Sequence, residues 1–391
     1  MIGGNIISAL SMWLITLYLV RVDALEDLGT LSLVQSLGLV FFIFCTFKLM
    51  NVQISDVEKK FSEVDYYFAR IISAILCIVL IAFYMLFSNY NLLIKVCCLI
   101  YAIYYGLMIV KEYFSASFQI DRKYRSIFIS NSLSGILSCL CFIAIYSFTK
   151  EITASLVGII VGGGMCIILN HFMINNEKNI YSDFNFLKSL QLIKNNLFLG
   201  LSAVLVSGLI LIPRFFIENI YGLKALGVFS AITSIMFFIN IFLNSLTQVL
   251  LRETIDIYDI DKVKSYKKIV LNFLFITLII LFGLIPVYFW RNFIVVLIFG
   301  ENFVNYSDEL FYSIALSVFL FWFNYGNFIL TIQRNFGAQV YISTIAFIAQ
   351  LVLCYCLVSL YSYLGAFIAM GSTYILGFIA CTLTFLWKEK K

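Results

Sequence analysis

Apolar runs about twenty residues long recur from one end of the chain to the other, and few folds can accept them. At about 1.5 Å per residue, such a run makes a helix about 30 Å long, the thickness of a bilayer's hydrocarbon core. Twelve can be drawn, at approximately 2–20, 30–47, 71–87, 92–110, 126–148, 152–174, 197–217, 228–250, 269–290, 310–330, 340–360 and 364–387. With 62% hydrophobic and 12% charged residues, the chain lacks the polar surface a soluble fold would need to cover them. A membrane barrel is excluded as well, because its strands alternate apolar and polar over about ten residues. The expected fold class is an all-α integral membrane protein with about 12 transmembrane helices.

Basic residues set the expected orientation, since loops rich in Lys and Arg stay on the cytoplasmic side. With the N-terminus inside, the cytoplasmic stretches 48–70, 111–125, 175–196, 251–268, 331–339 and 388–391 hold twenty of the 26 Lys and Arg residues. The outer loops hold five: Arg21, Lys150, Arg214, Lys224 and Arg291. Both termini are therefore expected in the cytoplasm. The net charge of +5 then reflects topology and attraction to anionic lipid, with no nucleic-acid-binding patch.

All ten cysteines fall inside apolar runs, so neither a disulfide framework nor a zinc site is expected. Cys139/Cys141 and Cys354/Cys356 are spaced i, i+2, which puts the paired thiols on different helix faces. His171 is the single histidine and has no second member for a metal or acid–base site. No metal and no cofactor are expected.

Every connecting loop is too short for a soluble catalytic domain, so function must lie between the helices and no catalytic residues are assigned. In the central connection, Phe186, Leu190 and Ile193 lie opposite Asp183, Lys188 and Lys194, the pattern of an interfacial amphipathic helix. That connection also separates two similar halves. Leu25-Glu26-Asp27-Leu28-Gly29-Thr30-Leu31-Ser32 is echoed 198 residues later by Leu223-Lys224-Ala225-Leu226-Gly227-Val228-Phe229-Ser230. Ser115, Gln119, Ile120, Arg122 and Tyr124 are echoed at an offset of 212 by Asn327, Thr331, Ile332, Arg334 and Phe336. Near-equal offsets indicate a parallel duplication of six helices. The predicted organisation is a six-helix bundle over 1–174, a cytoplasmic interfacial linker over 175–196, and a second six-helix bundle over 197–391.

With that organisation in view, certain stretches resemble a known family. They are a first helix ending in Arg21, a short outer loop running into Leu28-Gly29, a seventh helix ending Ile212-Pro213-Arg214-Phe215-Phe216-Ile217, then Tyr221-Gly222 and Leu226-Gly227-Val228-Phe229-Ser230. These are similar to the O-antigen translocases, the Wzx-type polysaccharide flippases, relatives of the multidrug and toxic-compound exporters. The resemblance covers the whole chain in length and helix number, through short motifs. It departs at the start, where members usually carry a basic stretch and this chain reads Met1-Ile2-Gly3-Gly4-Asn5. The resemblance implies a flippase that moves an undecaprenyl-diphosphate-linked oligosaccharide across a bacterial cytoplasmic membrane by alternating access. Membrane lipid, a polysaccharide polymerase and chain-length proteins are the implied partners.

Such a substrate carries an anionic, hydroxyl-rich head and needs a cavity with cationic and hydrogen-bonding groups between helices. Asn240, Asn244, Gln248 and Arg252 repeat at i+4 along the eighth run, and Asn324, Asn327, Thr331 and Arg334 form a second stripe on the tenth. The plainer reading is hydrogen bonding between neighbouring helices, worth under about 1–2 kcal/mol each. Asn5, Ser8 and Ser11 on the first run and Asn131, Ser134 and Ser138 on the fifth admit both readings. Arg21 and Arg214, with Arg291, are candidate outer contacts to diphosphate, and Lys48, Lys111, Arg122, Arg252 and Arg334 candidate inner ones. The guanidinium fork suits paired phosphate oxygens.

No Asp or Glu is expected at mid-membrane depth, and Glu112 falls near an inner edge. Exporters of cationic drugs ordinarily need a buried acid, so a drug or small-solute exporter of the same fold is the second reading. A membrane-embedded polymerase or ligase is the third, and would normally carry a longer outer loop. Pro213 and Pro286 are candidate kinks, and Gly158, Gly162, Gly163 and Gly164 form a smooth helix face suited to packing or to a hinge.

Overall fold

The computed structural model of the protein describes residues 2–56, 60–174, 185–333 and 335–389. Among these residues every regular element is helical. The first part comprises α1 (Ile2–Arg21), α2 (Leu25–Thr46), the short α3 (Leu49–Ser55), α4 (Glu63–Phe87), α5 (Leu92–Ile120), α6 (Tyr124–Thr149), α7 (Ile152–Ile174) and α8 (Phe186–Asn195). Then follow α9 (Leu197–Ile260), α10 (Lys262–Phe299), a 3-10 turn, α11 (Ser307–Ile332) and α12 (Phe336–Glu389).

Among the described residues, ten helical stretches are long and apolar enough to cross a membrane, and three contain a non-helical residue, of which those in α9 and α12 turn the chain at positive φ. α9 runs 64 residues and turns at Gly222, where φ is 82°. That conformation is open to glycine because it lacks a Cβ. α12 runs 54 residues and turns at Ser362, where φ is 51°. Splitting these two gives the twelve crossing segments read from the sequence. Neither Pro213 nor Pro286 interrupts its helix; the non-helical residues inside α9 and α10 are Gly222 and Trp290.

The chain divides into two compact units. One comprises Met1–Tyr18 with Thr30–Ser207, and the other Leu19–Gly29 with Gly208–Lys391. In the first unit, α6 and α7 meet through small residues, for a Cβ on Gly158 would come within 2.8 Å of the Cys141 carbonyl carbon. Gly162 similarly seats the Ser138 backbone, so packing claims these two glycines, while nothing lies within 4 Å of Gly164. The start of α4 is fixed by a capping box, in which the Ser62 hydroxyl accepts from Asp65 N–H and the Asp65 carboxylate from Ser62 N–H.

α8 belongs to this unit and is amphipathic, as expected, but with a different inward face. Ser189, Leu192 and Ile193 are buried, whereas Phe186 and Leu190 are exposed. The Ser189 hydroxyl donates to the Asp65 carbonyl oxygen at 3.1 Å, which pins the helix by that face. Asp183, expected on the polar side, lies outside the described residues.

The second unit is built round α11, whose Phe321, Tyr325 and Phe328 pack with Ile269 and Ile276 of α10 and Phe385 of α12. The outward side of α10 exposes Phe275, Phe282 and Phe289, a stripe repeating every seven residues. Such a stripe is costly in water and ordinary in lipid. Two glycines bring the start of α2 against the second half of α9. A Cβ on Gly29 would overlap the Leu223 carbonyl oxygen, and one on Gly227 would overlap that of Leu25. The echoed Leu-Gly motifs thus meet each other in space, each glycine leaving room for the carbonyl of a leucine in the other motif.

Candidate functional site

α5 organises the polar interior of the first unit. Tyr101, Tyr104, Tyr105, Met108, Lys111, Glu112 and Ser115 follow one helix face and line a cavity of 590 Å³. α1 contributes Asn5, α2 contributes Gln35 and Phe42, and α6 contributes Asn131. The volume is within the about 300–1,000 Å³ of small-molecule pockets.

Hydrogen bonds fix this lining. Tyr105 donates its hydroxyl to the Gln35 carbonyl oxygen at 2.8 Å, and the Gln35 amide nitrogen donates to the Tyr101 oxygen at 3.2 Å. Phe42 stacks on Tyr105 with ring centroids 4.9 Å apart, and Tyr101 meets Tyr105 edge-on at 5.0 Å. Asn131 Nδ2 donates to Asn5 Oδ1 at 2.7 Å, joining α6 to α1. The close approach of those helices is set by Gly135, where a Cβ would come within 2.6 Å of Ser8 Cα.

At the cavity wall stands an ion pair whose cation is fully buried and whose carboxylate is 29% exposed. Arg70 of α4 is 0% exposed, and its Nη1 donates to Glu112 Oε2 at 2.7 Å and to the Thr46 carbonyl oxygen at 3.4 Å. The sequence reading counted Arg70 in a cytoplasmic stretch; the structure draws it two turns into α4. Glu112 is therefore neutralised by a partner that charge counting in loops could not supply. Lys111, one residue before it, is 7% exposed and lines the same cavity. Among the described residues no carboxylate lies within ion-pair distance of the Lys111 amine. With Arg70 and Glu112 balanced, Lys111 leaves the cavity one positive charge in excess.

The other candidate residues lie elsewhere. Lys48 and Arg122 are exposed, with positive φ, just beyond the C-terminal ends of α2 and α5. A cation at a helix C-terminus also complements the helix dipole. Asn240 of α9 accepts from Asn324 Nδ2 of α11 at 2.9 Å, so the two predicted stripes meet there. Asn327 Nδ2 donates to the Phe323 carbonyl, and the Asn327 carbonyl accepts from Gln339 Nε2 at 2.6 Å. Arg214 lies over the Phe237 ring at 5.3 Å. Arg21 donates through Nε to the Ile298 carbonyl oxygen at 3.0 Å and through Nη2 to those of Val296 and Leu297, closing the end of α10. The side chains of Asn244, Gln248 and Arg252, and all of Arg334, lie outside the described residues.

Sequence reasoning picked out Lys111, Asn5 and Asn131 but passed over Gln35 and the three tyrosines. Their signal was the spacing on the fourth run, where Tyr101, Tyr104/Tyr105, Met108, Lys111/Glu112 and Ser115 advance by one helical turn at a time.

Twelve bilayer-length helical segments make this a multi-pass membrane protein, and its first unit holds a polar, aromatic-lined cavity. Known structures of similar shape agree. The chain superposes on a multidrug resistance MATE family transporter of the MOP superfamily, in an inward-facing conformation, with a TM-score of 0.80, 10% identity and coverage of 98% and 96% of the two chains. It superposes on the lipid II flippase MurJ with a TM-score of 0.76, 12% identity and coverage of 97% and 86%. The fold is thus MATE-like. In sequence, the chain is 26% identical over 376 residues to the capsular polysaccharide biosynthesis protein CapF of Staphylococcus aureus, covering 94% of this chain and 92% of that protein. No protein-family model matches. The resemblance to polysaccharide flippases read from the sequence is borne out in both comparisons.

Proposed function

We propose that the protein is a flippase that carries a lipid-linked oligosaccharide diphosphate, a unit of a surface polysaccharide, across a bacterial cytoplasmic membrane by alternating access. The observation that carries this reading is the cavity of the first unit, whose ammonium, amides and tyrosine rings suit an anionic, hydroxyl-rich head group inside a bundle of membrane helices. The MATE-like fold and the similarity to a capsular polysaccharide biosynthesis protein support it. The polar stripe Asn240–Asn244–Gln248–Arg252 and the cations Arg214, Arg21, Arg122, Arg334 and Lys48 are proposed as further contacts along the route. A polymerase and chain-length proteins are the proposed partners.

A drug exporter is the second reading, favoured by the shape shared with a multidrug transporter. The charge of the cavity weighs against it, because its one carboxylate, Glu112, is bonded to Arg70 and Lys111 repels a cationic drug. Disruption of the gene separates the two. A flippase mutant accumulates lipid-linked oligosaccharide on the inner leaflet and loses surface polysaccharide. A strain with normal intermediate and polysaccharide, but raised drug sensitivity, would establish the exporter instead.

The same reading fixes a topology, with both termini cytoplasmic and residues 218–227 outside, on the strength of the charge bias. Single cysteines placed in a cysteine-free background should react with an impermeant maleimide at 218–227 and stay unlabelled at 261–268 in intact cells. The opposite pattern would reverse the orientation.

A further inference from the structure

We propose that the cavity of the first unit is a subsite for a carboxylated sugar, with Lys111 meeting the carboxylate. This rests on the flippase reading and adds a chemical class to its head group. Lys111 carries the argument because the residue is only 7% exposed, lines the cavity and has no ion-pair partner among the described residues. An uncompensated buried charge costs several kcal/mol, so a lysine that merely filled space would be an expensive choice. An anion in the cavity removes that cost.

Three features select the anion. The excess charge is a single positive one, which matches a monoanion better than a diphosphate. A lone ammonium is a point contact, whereas paired phosphate oxygens favour a guanidinium fork. The fork paired with the cavity's Glu112, that of Arg70, is 0% exposed and already donates to Glu112 and Thr46. Finally, the walls fit a pyranose: the rings of Tyr101, Tyr104 and Tyr105 offer faces for its C–H surface, while Asn5, Gln35 and Asn131 offer amides for its hydroxyls.

The test uses the full chain in lipid nanodiscs and calorimetric titration with a tetrasaccharide containing glucuronic acid, its carboxyl-reduced counterpart, and inorganic pyrophosphate. The wild-type protein should bind the acidic sugar at least about tenfold more tightly than the reduced one, as a charged hydrogen bond to a buried group requires. Lys111→Met should bring that ratio close to one, and Lys111→Arg should keep a preference for the acid. The wild-type comparison needs no variant to fold. Equal binding of the two sugars, no binding of either, or a ratio that survives Lys111→Met overturns the proposal. Lys111-dependent displacement by pyrophosphate overturns it in favour of a diphosphate site. The flippase reading stands or falls separately, on accumulation of lipid-linked intermediate in cells.

Discussion

Glu112→Ala destabilises the first unit by about 3–5 kcal/mol, the usual consequence of removing one member of a buried ion pair. The reason lies in what is left behind. Arg70 is 0% exposed and, without Glu112, keeps only the Thr46 carbonyl oxygen at 3.4 Å. Its Nε and Nη2 already lack partners, so losing Glu112 adds to donors that are buried and unsatisfied. Glu112→Gln should cost less, because an amide oxygen can still accept from Nη1. The double variant Arg70→Met, Glu112→Leu should be more stable than Glu112→Ala, since apolar residues of similar volume can replace a buried pair at little cost. Thermal unfolding of purified protein in a fixed detergent orders the four proteins. If Glu112→Ala melts with the wild type, or the double variant melts below Glu112→Ala, the unpaired Arg70 charge is not the source of the loss.

The sequence made the class of protein and its twelve crossings readable, because a hydrophobic run of bilayer length is a one-dimensional signal. Helix breaks were legible for the same reason: Gly222 lies within the loop expected between the seventh and eighth runs. Boundaries read by apolar content alone misplaced Arg70. A charged residue ends an apolar run on paper, yet in the helix it can continue inward if a partner such as Glu112 waits on the neighbouring helix. The cavity was half legible. Lys111 stood out as a charge, but Gln35 and Tyr101 are 66 residues apart and reveal themselves only by their hydrogen bond. Tyrosine in a membrane segment also reads as an interfacial or lipid-facing residue until its face is known. Arg21 shows the converse limit. Its position at the end of a helix was readable, but not that backbone carbonyls of α10 would occupy its guanidinium. The repeat gave more than it promised, for the two echoed motifs are joined in one crossing.

That crossing yields the second large effect: Gly29→Val and Gly227→Val should each prevent the start of α2 from seating against α9. The obstruction is backbone, not side chain. A Cβ on Gly29 meets the carbonyl of Leu223, and one on Gly227 meets that of Leu25 and lies 3.1 Å from Gly29 N. A flexible side chain could swing aside, but a carbonyl inside a helix moves only with the helix. Overpacking in a core costs about 1–3 kcal/mol even where side chains can adjust, and more is expected here. Gly→Ala at either position should already lower the melting temperature, and Val should abolish recovery of monodisperse protein. Gly283 provides the contrast within the same unit, because nothing lies within 4 Å of its Cβ position and it sits inside α10. Gly283→Ala should therefore be neutral or slightly stabilising, as alanine is favoured over glycine in a helix by about 1 kcal/mol. The double variant Gly29→Ala, Gly227→Ala decides whether the contact is reciprocal. If one methyl already parts the helices, the second adds little, and the combined loss falls short of the two single losses added together. Full additivity would mean that the glycines pack against separate surfaces, and wild-type melting in all three alanine variants would mean that the crossing does not form.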